Sequence, residues 1–132
     1  MNSNNGNLPM SKTALTVDDS KTMREMVAFT LKGAGYQVIE AEDGKHALQM
    51  LGGKSVDVVV TDLNMPNMNG IELIRELRAN PSYKFTPILM LTTEADDSKK
   101  SEGKSAGATG WIVKPFQPEK LLKTVEKVTG GI

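Results

Sequence analysis

The chain has 132 residues and no cysteine, and its 16 basic and 16 acidic side chains give a formal net charge of zero. This length predicts one domain with a sizeable core, and the balanced charge argues against nucleic acid or an anionic membrane as the main partner. Without cysteine the chain can form neither disulfide bonds nor thiolate metal sites, which fits a reducing, cytoplasmic compartment.

The first twelve residues are mostly polar and include four asparagines. They lack the apolar stretch of a signal peptide or a membrane anchor. We predict a disordered lead-in over residues 1–12 and one folded domain over residues 13–132. Because the chain ends shortly after the last predicted helix, we expect no covalently attached output domain.

Strand and helix patterns alternate along the rest of the chain. Short runs of β-branched and aliphatic residues are typical of buried parallel strands, and apolar residues at three- and four-residue steps predict amphipathic helices. In chain order, the predicted elements are strand 13–17, a helix with its apolar stripe from Met23 to Ala34, strand 36–40, a helix with Ala47, Leu48 and Leu51, strand 56–61, a helix capped by Asn69 with Leu73, Ile74 and Leu77, strand 87–92, a helical segment over 96–107, strand 110–113, and a helix that starts at Pro118 and carries Leu121, Leu122, Val125 and Val128. Five successive βα units predict a doubly wound α/β fold, in which a parallel sheet is covered by helices on both faces.

The helical segment over residues 96–107 differs from the other four. It has almost no apolar stripe, and it contains Gly103. A glycine inside a helix costs roughly 1 kcal/mol relative to alanine. We therefore expect a marginal helix, loosely held to the sheet, of the kind that takes part in conformational switches.

Chemically active side chains follow four of the predicted strands. Asp18 and Asp19 follow the first, Asp62 the third and Lys114 the fifth, and Thr92 ends the fourth. In open α/β sheets, ligands bind at the carboxyl ends of the strands. Three carboxylates gathered there would repel one another, and Mg²⁺, which prefers carboxylate and carbonyl oxygens, would relieve that repulsion.

The same set suits phosphoryl transfer to a carboxylate. We expect Asp62 to be the nucleophile, because an aspartate can form an acyl phosphate, with Asp18 and Asp19 holding the metal. Lys114 would pair with one phosphoryl oxygen and Thr92 would donate a hydrogen bond to another. Taken alone, Asp18 could also cap the helix that follows it.

Four motifs occur in order: Val-Asp-Asp-Ser (17–20), Val-Thr-Asp-Leu-Asn-Met-Pro (60–66), Leu-Thr-Thr-Glu-Ala (91–95) and Val-Lys-Pro-Phe (113–116). Together they resemble the receiver domain of bacterial response regulators, and the resemblance extends from about residue 13 to near the end of the chain. It implies a flavodoxin-like, five-stranded parallel sheet in the order 2-1-3-4-5 with five helices. It also implies a histidine kinase as phosphoryl donor and a protein that catalyses its own phosphorylation and dephosphorylation rather than a conventional enzyme.

The resemblance assigns a role to each site residue. Asp62 would be the phosphoacceptor, and Asp19, Asp62 and the backbone carbonyl of Asn64 would be Mg²⁺ ligands. Asp18 would act largely through a metal-bound water. A cis peptide bond is implied between Lys114 and Pro115, and cis bonds are essentially confined to X–Pro.

Within the family, the chain is most similar to the single-domain chemotaxis regulators of the CheY type. This implies a cytoplasmic monomer with a CheA-type kinase, the flagellar motor switch as output partner and a phosphatase as a further candidate partner. The output face would be the fourth helix, the fifth strand and the fifth helix. Asn64 and Glu94 match positions that tune acyl phosphate hydrolysis, and we expect a short-lived phosphoprotein.

One position departs from the family pattern: Trp111 stands where the family usually has the Tyr or Phe that rotates on activation. We interpret Trp111 as a switch residue, with plain core packing as the alternative. Because the fourth helix also differs, the protein could instead be a phosphate sink or a relay receiver that never contacts the motor. A phosphorylation-independent receiver is disfavoured, because every chemical position is filled.

A distant alternative is a phosphatase of the haloacid dehalogenase type, which also uses an Asp nucleophile with a Thr or Ser and a Lys. That class usually has a second Asp two residues after the nucleophile. Here the position holds Asn64, which cannot transfer the proton.

Overall fold

In the part of the chain that the structure describes, five parallel strands form one sheet, in which the second strand along the chain lies at one edge, followed by the first, third, fourth and fifth. Four helices connect successive strands, and a fifth helix follows the last strand. The structure is a computed structural model and describes residues 12–93 and 97–130. Its elements are β1 Thr13–Val17, α1 Lys21–Gly33, β2 Gln37–Ala41, α2 Gly44–Leu51, β3 Val58–Asp62, α3 Gly70–Ala79, β4 Ile88–Thr92, α4 Asp97–Ala106, β5 Gly110–Val113 and α5 Pro118–Thr129. The predicted fold class, strand order and helix number are confirmed. Residues 1–11 of the predicted lead-in lie outside the described residues.

The sheet has a hydrophobic core on each face, because successive strand residues point to opposite sides. Leu15, Val59 and Met90 face α2, α3 and α4, whereas Val60 and Leu91 face α1 and α5. Both β3 and β4 are buried along their full length, as expected for central strands of a doubly wound sheet. The pattern of continuous apolar runs in the sequence therefore has a direct structural cause.

The helices after β1 and β3 begin with side-chain caps at the carboxyl edge of the sheet. Ser20 caps α1, where its hydroxyl accepts a hydrogen bond from the Met23 amide at 3.2 Å. The alternative that Asp18 caps this helix is therefore wrong, and its Oδ1 accepts from the Ser20 amide instead, at 2.9 Å. Asn69 caps α3 as predicted, in a reciprocal capping box with Glu72, a motif that satisfies two otherwise unpaired amides. These caps start each helix directly beyond a strand end.

The polar helix α4 packs mainly against α3 and comes close to the sheet at its glycine. Gly103 is buried, and a Cβ at this position would lie 3.2 Å from Met90 Cε and 3.5 Å from two atoms of the Trp111 indole. The glycine therefore lets the helix approach the tryptophan closely, which the sequence pattern did not reveal. Ala106 is also buried, at the far end of the helix.

Arg78 connects the end of α4 to two other segments. Its Nε donates to the Gly107 carbonyl at 3.0 Å, and its Nη1 donates to the carbonyls of Tyr83 at 2.9 Å and Lys84 at 3.1 Å. Gly107 has φ +113°, a conformation that favours glycine. The guanidinium thereby fixes the position of the C-terminal end of α4. Within the described ranges, no helix is long and apolar enough to span a membrane.

Candidate functional site

The site is built by the parallel register of the central strands. Val17 pairs with Thr61, and Thr92 pairs with Val113, so the residues that follow Val17, Thr61 and Val113 emerge at the same edge of the sheet. Those residues are Asp18, Asp62 and Lys114. The structure brings these three side chains together.

A lysine lies between two buried carboxylates. Lys114 Nζ is 3.2 Å from Asp18 Oδ2 and 3.1 Å from Asp62 Oδ1. Asp18 is 2% exposed and Asp62 is 8% exposed, so both carboxylates are largely removed from water. Loss of the ammonium, or of both carboxylates, would leave the opposite charge buried without a partner, which costs several kcal/mol of stability. The peptide bond after Lys114 is cis, as the resemblance implied.

The ionisation of the cluster is shifted by its burial. The pKa of the Asp62 carboxyl is raised above its ordinary value, because burial disfavours its charged form and Asp18 repels it, while Lys114 opposes both effects. Burial alone would lower the pKa of Lys114, but the hydrogen bond and charge of Asp62, together with Asp18, raise it overall. Lys114 therefore stays protonated, and the ionised form of the neighbouring Asp62 carboxylate is destabilised by its surroundings.

A divalent cation fits this cluster. Asp18, Asp19 and Asp62 each offer a carboxylate oxygen, and these oxygens lie within 4.8 Å of one another. Asp18 Oδ2 is buried, and its contact with the Lys114 ammonium at 3.2 Å is an ion pair without well-aligned hydrogen-bond geometry. Three hard oxygen donors, one with unused acceptor capacity, suit Mg²⁺ better than a softer metal. Asp19 is exposed, which gives a bound cation access to solvent.

The remaining predicted residues surround this centre. Thr92 is buried at the end of β4, and its carbonyl accepts from the Lys114 amide at 2.8 Å. Asn64 is exposed in the loop that begins after Asp62, and Trp111 is half-buried in β5 beneath α4. The Trp111 indole Nε1 is buried and has no hydrogen-bond partner in the described part of the chain. Glu94 lies outside the described residues.

Sequence reasoning missed two polar residues that support the site. Arg24 donates from Nη1 to the Asp18 carbonyl at 2.9 Å and forms an ion pair with Glu40 at 3.3 Å. Asp43 is buried and accepts hydrogen bonds from two different segments. An acid directly before a helix, as in Asp43-Gly44, was a readable capping signal. At the site itself, Arg24 binds a backbone carbonyl, and no pattern of residue types predicts a contact of that kind.

Comparison with known proteins places the chain in a class. Residues 14–126 match the response regulator receiver domain. The chain belongs to the response regulator receiver domain family, whose members are signalling proteins rather than conventional enzymes.

The relatives are of the CheY type. The chain is 42% identical over 118 residues to the chemotaxis protein CheY1 of Helicobacter pylori, covering 88% of this chain and 95% of that protein. It is 43% identical over 115 residues to the chemotaxis protein CheY of Pseudomonas aeruginosa, covering 86% and 93%. The structure of the chemotaxis response regulator CheY4 of Vibrio cholerae matches with a TM-score of 0.86 and 52% identity, covering 90% of this chain and 99% of that one. This is a CheY-like receiver.

The raised pKa of Asp62 predicts that this carboxylate reduces stability. In metal-free buffer at neutral pH, Asp62→Asn is expected to raise the free energy of unfolding by on the order of 1 kcal/mol. In the wild type, stability should fall as pH rises from the ordinary pKa of 3.8 to the raised one, because over that window the folded state holds the proton more tightly than the unfolded state. The gain from the substitution should therefore vanish at the acid end.

Urea unfolding from pH 3 to 8 measures this difference. Saturating Mg²⁺ should shrink or reverse it, because a cation that binds the folded wild type stabilises that chain selectively. A variant that is less stable than the wild type at neutral pH without metal would contradict the assignment of a destabilising carboxylate.

Proposed function

We propose that the protein is a phosphorylatable chemotaxis response regulator that accepts a phosphoryl group on Asp62 from a histidine kinase. The observation that carries the proposal is the contact of 3.1 Å between the buried Asp62 carboxylate and the Lys114 ammonium, beside two further acids. Burial and the charge of Asp18 also raise the pKa of Asp62, and perturbed pKa values cluster at functional sites.

In the proposed reaction, an Asp62 oxygen attacks the phosphorus of a phosphohistidine. The new P–O bond forms as the P–N bond breaks, and the histidine nitrogen keeps the bonding pair and takes a proton from solvent. Lys114 pairs with an equatorial phosphoryl oxygen, and the Thr92 hydroxyl donates to another. Asp19, Asp62 and the Asn64 carbonyl would hold Mg²⁺, with Asp18 acting largely through a metal-bound water, and the cation would neutralise negative charge on the phosphoryl group.

The roles of the other predicted residues follow from this reaction. Asn64 and Glu94 would set how quickly water hydrolyses the acyl phosphate. Trp111 and the face made by α4, β5 and α5 would respond to the new charge at Asp62. The partners would be a CheA-type kinase and the flagellar motor switch, with a phosphatase as a further candidate. The protein would act as a cytoplasmic monomer with its domain over residues 13–132.

A phosphate sink or relay receiver is the second candidate. It is favoured by one specific observation: among the described side chains of α4, only Gly103 and Ala106 are buried, and the exposed ones are polar, such as Ser101, Glu102 and Lys104. An output surface that differs this much from the usual one could lack affinity for the motor. Binding of the phosphorylated chain to a flagellar switch peptide would support the motor role over the sink.

Labelling with radioactive acetyl phosphate tests the proposal. Wild-type protein should incorporate base-labile label only with Mg²⁺, and Asp62→Asn should incorporate none. Asp57→Asn is a matched control, because Asp57 is an exposed carboxylate whose Oδ2 accepts from the Thr13 amide, at the amino end of β1. It should label normally. Absence of label in the wild type, or equal label in Asp62→Asn, would contradict the proposed chemistry.

A further inference from the structure

The loop over residues 63–69 is hydrogen-bonded to the start of α2. Asp43 Oδ2 accepts a hydrogen bond from Asn67 Nδ2 at 2.8 Å, and the Gly44 amide donates to the Met68 carbonyl at 3.2 Å. A Cβ at Gly44 would lie only 2.6 Å from Met68 Cγ, so the two segments are in close contact. This loop connects Asp62 to α3 and contains Asn64.

The two carboxylate oxygens of Asp43 accept hydrogen bonds from different segments. Oδ1 accepts from the His46 amide at 2.8 Å and caps α2, which is an ordinary helix start. Oδ2 is not needed for that cap and instead holds Asn67, 24 positions further along the chain. Although Asp43 is only 9% exposed, its pKa is lowered by the hydrogen bond from the His46 amide first and by that from the Asn67 side chain second, so it stays ionised and a strong acceptor.

The hydrogen bond between Asn67 and Asp43 lies at the residue of the loop whose backbone conformation is least favourable. Asn67 has φ +67°, and it is the one non-glycine residue with positive φ among the described residues. At the C-terminal end of the loop, the Gly70 amide donates to the Leu63 carbonyl at 2.9 Å. The loop is therefore closed at its base by Gly70 and fixed at its tip by Asp43, and the Asn64 carbonyl lies between these two fixed points along the chain.

We propose that Asp43 is a positioning residue that acts through Asn67 to hold loop 63–69 so that the Asn64 carbonyl is presented to the cation. The proposal rests on the proposed Mg²⁺ site. Asp43 itself touches neither the cation nor the phosphoryl group. Its role resembles that of the outer-shell partners that orient metal ligands in other sites.

Two single variants separate this role from helix capping. Asp43→Ser keeps a capping oxygen for the His46 amide but is too short to reach Asn67. Asn67→Gly removes the amide and keeps a residue that tolerates positive φ. The double variant completes a thermodynamic cycle. Asp57→Ser is the control, because it also removes a carboxylate that binds a backbone amide, far from the site.

The measurement is Mn²⁺ affinity by electron paramagnetic resonance of the free ion, with Mg²⁺ affinity from competition. Each single variant should weaken Mn²⁺ binding by about tenfold, the low end for outer-shell partners, and the double variant should be no weaker than either. Asp57→Ser should bind as the wild type does. At saturating Mg²⁺, labelling from acetyl phosphate should return to the wild-type rate in both single variants.

Urea unfolding of each chain confirms that only folded protein is compared. If the wild type binds Mn²⁺ and both single variants bind it equally tightly, the positioning role is overturned while the proposed function stands. Additive losses in the double variant would also overturn it, because the two residues would then act separately. If the wild type binds no Mn²⁺, the metal site itself fails, and the positioning role fails with it.

Discussion

Lys114→Met is expected to slow the labelling of Asp62 by about 10²–10³-fold, the usual cost of removing one group that stabilises charge in a transition state. The ammonium contacts Asp62 at 3.1 Å and is the cation closest to the proposed phosphoryl position among the contacts described above. Methionine has a similar length without the charge, so the loss would come from electrostatics rather than from a cavity. Initial rates with acetyl phosphate at saturating Mg²⁺ measure it.

The same substitution should destabilise the metal-free protein. It leaves Asp18 and Asp62 buried without their shared counter-charge, and removal of one partner from a buried ion pair typically costs about 3–5 kcal/mol. The loss should be smaller in acid, where Asp62 takes up a proton, and smaller in Mg²⁺. Lys127→Met on the exposed face of α5 is the control and should change neither property. A Lys114→Met protein that labels at the wild-type rate would remove the lysine from the proposed reaction.

Gly70→Ala is expected to destabilise the protein by about 3 kcal/mol, at the upper end of the usual cost of overpacking. A Cβ on Gly70 would collide with the backbone carbonyl oxygen of Asp62 and would lie 3.2 Å from Leu63 Cα. Both neighbours are backbone, so relief of the collision requires a shift of the segment that carries Asp62, the proposed phosphoacceptor. We therefore expect slower labelling of Asp62 in whatever fraction remains folded, measured beside urea unfolding.

Gly33→Ala is the matched control for that experiment. A Cβ on Gly33 would meet no heavy atom within 4 Å among the described residues, and this last residue of α1 should gain slightly from the better helix propensity of alanine. If Gly70→Ala proved as harmless as Gly33→Ala, the contact between α3 and the Asp62 backbone would not constrain the site in the way described.

The strands and the acidic cluster could be predicted because their signals are local. An apolar run that ends in Asp62 or in Lys114 indicates both a buried strand and the edge at which its polar residue emerges. The predicted strand boundaries differ from the observed ones by one or two residues. The strand predicted over 36–40, for example, is observed at Gln37–Ala41. Such shifts change no residue's place in the site.

The supporting contacts could not be predicted, because they join distant segments through geometry that no residue pattern encodes. Asp43 and Asn67 are 24 positions apart, and the value of Gly103 depends on how closely α4 lies against Trp111. Helix propensity alone predicts that Gly103 destabilises the helix. In the fold this glycine lies against Met90 and the Trp111 indole, whereas the helix packs mainly against α3.

The three hydrogen bonds of Arg78 also determine how α4 would move. A rod fixed at one end rotates about that end, and Arg78 holds the carbonyl of Gly107 directly beyond the C-terminus of this ten-residue helix. At 1.5 Å per residue the helix is about 15 Å long, so a rotation of roughly 10° about Gly107 carries the opposite end through about 2.5 Å. We therefore expect α4 to respond as a lever, with its fulcrum at Arg78 and its longest travel at the end joined by the chain to Thr92.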